Sequence, residues 1–184
     1  MRLFAAIDPP ADEVARLAAA LGEPLPALRY VPSEQWHVTT AFYGDVPDAV
    51  VPELVERLGR AAARTPAMTL SLHGVGTFPK QSVKARVLWV GLDADVPTLV
   101  RLAERCVAAG RRCGLAMEAR PFRPHLTVAR VRREPVDLRA VVAELSSYAG
   151  ASWPVTSLRL VHSTVGAQVR HETLHAWPIG GPQG

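Results

Sequence analysis

Trp36-His37-Val38-Thr39-Thr40-Ala41-Phe42-Tyr43, closed by Gly44-Asp45, is aromatic and β-branched, the composition of a strand ended by a turn. Its first word, His37-Val38-Thr39-Thr40, returns as His125-Leu126-Thr127-Val128, just after a turn bracketed by Pro121 and Pro124. The second run reads as a strand from His125 to Val131. Strand side chains alternate between faces, so His37 and Thr39 point one way, as do His125 and Thr127. Val38 and Leu126 point oppositely, towards core. Each strand therefore offers an imidazole beside a hydroxyl, and two such strands near each other would converge both pairs on one cleft.

Outward from these words, residues 2–8 read as a strand. Asp8 is placed to cap a helix from Pro9 to Leu21, ended by Gly22. Residues 23–34, with Pro24, Pro26 and Pro32, read as loop. A helix is expected from Asp48 to Ala63. The alternating Met68–Leu72 run comes next, then a Gly-Pro stretch through Gly74, Gly76 and Pro79. Ala85–Leu92 reads as a strand, Asp95 as the cap of a helix ending near Gly110, and Asp137–Tyr148 as a helix. Strands near 155–163 and 169–177 finish the chain. The mixture predicts α+β rather than strict βαβ alternation. A strand carrying His-x-Thr is followed by a helix and further strands in both halves, which predicts two similar lobes. The whole of 1–184 is read as one bilobal unit, with one motif at 37–40 and one at 125–128.

Composition fits this. The 184 residues are 48% hydrophobic and 21% charged, an ordinary globular balance that argues against disorder. No apolar run reaches the roughly 20 residues of a membrane span. The opening apolar run is cut short by Asp8-Pro9-Pro10, so it reads as a buried strand and not a signal peptide, and the protein as cytoplasmic. The formal charge is +4, and of 21 basic residues only Lys80 and Lys84 are lysines. Arginine suits bidentate phosphate recognition, but a chain rich in Ala, Pro and Val also carries arginine as compositional bias. Cys106 and Cys113 read as reduced thiols, with neither disulfide nor zinc spacing.

The paired words suit the opening of a cyclic phosphodiester. A base must take a proton from water and an acid must protonate the departing sugar oxygen. Histidine titrates near neutrality, so one imidazole can be neutral while the other is charged. Threonine hydroxyls can donate to the non-bridging phosphate oxygens as charge builds there. The scheme requires no metal and no cofactor. One His-x-Thr arises often by chance; two on matching elements are much rarer.

These words resemble those of the two-histidine phosphoesterase superfamily, and more narrowly the RNA 2',3'-cyclic phosphodiesterases historically called 2'-5' RNA ligases. Met1–Ile7 is similar to that family's opening strand and Arg86-Val87-Leu88-Trp89 to its middle strand. His37–Gly44 and Pro124–Arg130 are similar to its two motif blocks. The resemblance implies a bilobal α+β fold, with two antiparallel sheets flanking a central cleft and helices outside. It implies hydrolysis of RNA 2',3'-cyclic phosphate ends to a 2'-phosphomonoester, with His37 as proton donor to the leaving 3' oxygen and His125 as the base. Reversible 2'-5' ligation could accompany it. Thr39, Thr127 and Arg130 would bind the phosphate. Simple alternation puts Arg130 on the face opposite His125, so a bulge or a twist must turn it inward. Thr40 and Tyr43 stand where the family more often has leucine, and His171 near a frequent tyrosine. A monomer acting on RNA ends or a cyclic nucleotide is expected. The alternatives are a phosphodiesterase for small cyclic nucleotides or ADP-ribose cyclic phosphate, and an RNA-end-binding module without catalysis.

The remaining candidates have bland readings. His73, His162, His171 and His175 form no i, i+4 helical pair. On a strand, His171 and His175 would share one face about 13 Å apart, too far for one ion, so no metal site is expected. His162 or His171 could border the cleft. Phe42 and Phe122 could stack on a base, with core packing the expectation. Arg111-Arg112 and Arg132-Arg133 read as solvated charges.

Overall fold

A computed structural model describes residues 1–166 and 169–181. The elements run β1 (Arg2–Ile7), α1 (Ala11–Leu21), β2 (Leu28–Tyr30), β3 (Val38–Asp45), α2 (Val51–Ala63), β4 (Thr69–Phe78), β5 (Val87–Ala94), α3 (Val96–Arg112), β6 (Leu126–Val131), α4 (Arg139–Leu145), β7 (Trp153–Pro154), β8 (Ser157–Thr164) and β9 (Arg170–Pro178). The fold is α+β, with two antiparallel sheets and the helices packed outside them. One sheet has the order β3-β1-β8-β9 and the other β2-β6-β5-β4-β7. His37 precedes a strand of the first sheet and His125 a strand of the second.

The two sheets are interleaved along the sequence and do not coincide with the two halves of the chain. The first sheet is built from the two ends of the sequence and the second from its middle. α3 follows β5 of the second sheet yet packs on β3 of the first, beside α2. α1 is tied to the end of the second sheet by Glu13, a buried carboxylate whose Oε2 accepts the Ala151 N–H at 2.9 Å. One continuous core joins Leu3, Ile7 and Leu160 of the first sheet to Leu72, Leu88 and Leu126 of the second. The reverse face of β1 and β8 carries a separate small patch, Phe4, Ala6 and Val161. No helix among the described residues is long and apolar enough to cross a membrane.

Several local expectations are corrected. The 23–34 loop contains β2, a three-residue strand pairing with β6. β4 does not stop before the Gly-Pro stretch. Gly74, at φ +61°, sits in a bulge, and Gly76 leaves space for the Trp89 indole, which a Cβ there would meet at 2.3 Å. Those glycines serve close packing within a strand, not a turn. Gly110 likewise lies inside α3, where it lets the Tyr43 ring approach; α3 runs on to Arg112, and Gly114 at φ +75° follows it. Asp8 does not cap α1, whose N-cap is Pro10, but pairs with Arg159. Asp95 does hold the N-cap position of α3, its carbonyl accepting the Leu99 N–H, but its carboxylate accepts the Thr69 N–H and not one from the helix. α4 is shorter than Asp137–Tyr148.

Candidate active site

The two histidines are held alike. His37 Nδ1 lies 2.7 Å from the Gln35 carbonyl oxygen, and His125 Nδ1 lies 2.7 Å from the Arg123 carbonyl oxygen. A carbonyl oxygen only accepts, so each Nδ1 carries the proton and donates it backwards by two residues. Each Nε2 is left with its lone pair when the ring is neutral. Both rings also rest on aromatic neighbours. His37 is stacked on Phe4 at 4.7 Å and meets His171 edge-on at 5.4 Å. His125 meets Phe78 edge-on at 5.0 Å, with Trp89 at 6.3 Å.

The strands that follow share one irregularity. β1 pairs Ala6 with Thr39 and then Ala5 with Ala41, leaving Thr40 as an extra residue. β5 pairs Trp89 with Thr127 and then Leu88 with Ala129, leaving Val128 extra. From Val38 and from Leu126 the burial runs identically: buried, half-buried, buried, buried, exposed. An extra residue shifts the alternation by one. Arg130 therefore returns to the face of Thr127, the inward turn that its role would require, and its charge helps to hold His125 below the usual histidine range. In β3 the same bulge returns Phe42 to the face of Thr39, opposite Phe4. Phe42 is thus 48% exposed rather than packed in the core, with the Arg2 guanidinium 4.9 Å from its ring centre. Phe122 is half-buried against the core and also borders the cleft.

The cleft is a cavity of about 1220 Å³ that brings Thr39 and Phe42 of the first sheet together with His125, Phe78, Lys80 and Arg123 of the second. His37 lines a second cavity, of about 330 Å³, with Arg159, Arg170 and His171. Thr127 and Arg130 line neither cavity. Burial pushes His37 down to about 4, offset in part by its bond to the Gln35 carbonyl and reinforced by His171. Burial also lowers His125, and His171 is lowered by burial and by Arg159. With both lowered, the neutral forms of the two motif histidines are favoured at pH 7.

Of the other histidines, His171 borders the site, whereas His162 pairs with Leu3 on the opposite face of the sheet. His171 and His175 do not share a face. The register of β9 shifts between the partners of Leu160 and Val161, so His175 turns away and stacks on Trp177. Among the described residues, no three His, Cys, Asp or Glu side chains are grouped as a metal site. The two departures at Thr40 and Tyr43 are packing features: Thr40 Oγ1 donates to Cys106 Sγ at 3.6 Å and the Tyr43 hydroxyl to the Cys106 carbonyl at 3.1 Å. The Cys106 thiol, buried there, is pushed up to about 12. Phe4, Arg159 and Arg170 escaped the sequence reading. They reach the site from strands with no local link to either motif, and backbone carbonyls such as that of Gln35 leave no side-chain signature.

The model of the 2'-5' RNA ligase superfamily matches residues 7–167. The chain belongs to that superfamily. An RNA 2',3'-cyclic phosphodiesterase of Aeropyrum pernix is 30% identical, over 84% of this chain and 88% of its own length. Another from Geobacillus stearothermophilus is 29% identical over 93% of this chain, which spans only 54% of that relative. Among solved structures, Escherichia coli LigT complexed with 3'-AMP superposes with a TM-score of 0.79 at 29% identity, covering 97% of each chain. The two-sheet architecture is thus that of a superfamily member over nearly the whole chain.

Proposed function

We propose that this superfamily member hydrolyses RNA 2',3'-cyclic phosphate ends to 2'-phosphomonoesters, without a metal. The observation that carries the reading is the duplicated histidine: two imidazoles pinned through Nδ1 to the carbonyl two residues before, each opening a His-x-Thr word that runs into the same bulge. The names of the relatives, and a nucleotide bound to a neighbour of like fold, support the substrate class. His125 Nε2 takes a proton from water, whose oxygen attacks phosphorus. The bond from phosphorus to O3' breaks, and His37 Nε2–H delivers its proton to O3'. The phosphate stays on O2'. Thr39, Thr127 and Arg130 donate to the non-bridging oxygens as negative charge grows there. His37 must be charged for its part. The phosphodiester anion supplies the field that raises it from its depressed value in the empty site. The chain 1–184 acts as a single bilobal, monomeric unit in the cytoplasm.

The test is incubation, in EDTA, with an RNA oligonucleotide ending in a 2',3'-cyclic phosphate. The expected product is a 2'-phosphate end, formed by neither His37→Ala nor His125→Ala at a comparable rate. A 3'-phosphate product would refute the leaving-group assignment. Activity lost in chelator and restored by zinc would refute the metal-free reaction.

A further inference from the structure

We propose that the 330 Å³ cavity beside His37 is an anion subsite for a second phosphate, the one on the 5' oxygen of the nucleotide whose cyclic phosphate is opened. The inference rests on the reading of the main site given above and adds to it a reason for preferring a polynucleotide end to a bare cyclic nucleoside phosphate.

The cavity is lined by Glu34, Gln35, His37, Arg159, Arg170 and His171. Two arginines line it together with His37, which also serves the reaction. Arg159 is fixed in place: one terminal nitrogen donates to the Asp8 carboxylate and the other to Thr173 Oγ1. Its buried Nε–H finds no acceptor among the described residues, and each terminal nitrogen keeps a second N–H beyond the bond it makes. A guanidinium already immobilised, with donors to spare, binds a phosphate at little further ordering cost. Arg170 stands exposed at the start of β9 and, among the described residues, forms no ion pair. Glu34 is exposed, so water and salt screen its repulsion of an anion.

Gln35 couples this cavity to the reacting one. Its carbonyl holds the His37 ring, and its side-chain amide donates to the Val169 carbonyl at 3.1 Å, tying the entry of β9 beside His37. An anion held by Arg159 and Arg170 therefore lies within one nucleotide's reach of the phosphate that His37 serves. In a substrate whose reacting group is at its 3' end, the nearest other anion is on O5' of the same nucleotide.

The experiment compares a nucleoside 2',3'-cyclic phosphate with the same compound bearing a 5'-phosphate. For the wild-type chain the 5'-phosphate is expected to raise kcat/KM about tenfold or more, the effect of one charge-assisted hydrogen-bonded pair. In Arg170→Gln that ratio should fall towards one. A wild-type ratio near one, or a ratio that Arg170→Gln leaves unchanged, overturns the subsite. Calorimetric binding of a nucleoside 2',5'-bisphosphate against the 2'-monophosphate gives the same comparison without turnover. Equal affinities overturn the subsite. Tighter binding of the bisphosphate with no turnover of either cyclic compound would keep the subsite and refute the catalytic reading instead.

Discussion

Thr40 and Val128 are one irregularity repeated in two sheets: each is the residue three places after a motif histidine, and each is left over when its strand pairs with its neighbour. The bulge after Thr127 is what brings Arg130 round to the hydroxyl's face. Because Arg130 is exposed and holds no partner in the core, its loss should touch substrate and not folding. Arg130→Gln is expected to lower kcat/KM by about 10- to 100-fold, the range for one charge-assisted bond to an anion, with little change in Tm. Steady-state kinetics and a melt on the same preparation check both halves. Unchanged kinetics would place Arg130 outside the phosphate's reach.

Each motif histidine should be worth about 10²- to 10⁴-fold in kcat, the usual yield of a positioned general acid or base. The two losses are distinguishable by leaving group. A cyclic substrate with sulfur in place of O3' expels a thiolate that needs no proton. His37→Ala should then recover most of its deficit, while His125→Ala should not. Recovery by the His125 variant alone would exchange the two roles.

The spacing His-x-Thr was enough to nominate both halves of the candidate site, because strand alternation is local and a period of two fixes which residues share a face. Arg130 was legible only conditionally: the role that the family resemblance implies needs a bulge, and only the pairing with β5 locates one at Val128. Phe42 was misread for the same reason, since an unseen bulge at Thr40 turns a core-facing position into a cleft-facing one. Arg159 and His171 come from strands that reach the site only through tertiary pairing. His171 was read as able to border the cleft, but nothing near the motifs announced Arg159, and the interleaving of the two sheets along the chain hid which strands are neighbours.

Burial of two neutral imidazoles sets the pH behaviour. In the free protein His37 sits at about 4 and His125 below 6.5. One must be charged and the other neutral, so kcat/KM should trace a bell, displaced to the acid side of the usual histidine range because both groups are lowered. Bound phosphodiester favours the charged imidazoles, so the whole bell of kcat should lie at higher pH than that of kcat/KM. Coincident profiles would remove the role given to the substrate's charge. Stability follows the same group with a definite sign. A folded value of about 4 against about 6.5 unfolded means that the unfolded chain binds more protons between these pH values. The contribution of neutral His37 is complete above 6.5 and is lost as pH falls towards 4, up to about 3 kcal/mol. Denaturant melts should show a shallower loss over that window in His37→Gln than in wild type.

Gly76 is the least obvious determinant of His125. It lies in β4 opposite Trp89, and a Cβ there would fall 2.3 Å from Cζ2 of the indole. The indole and Phe78 flank the His125 ring, so whatever displaces Trp89 disturbs the base. Gly76→Ala should therefore cost about 1–3 kcal/mol as an overpacked site, and should also depress kcat at temperatures where the protein is fully folded. Leu17→Ala is the control. It empties a buried site in α1 and should cost about 2–5 kcal/mol while sparing kcat, since Leu17 lines neither cavity. If both variants lose kcat in proportion to stability, Trp89 merely fills space. If only Gly76→Ala loses it, the indole positions His125.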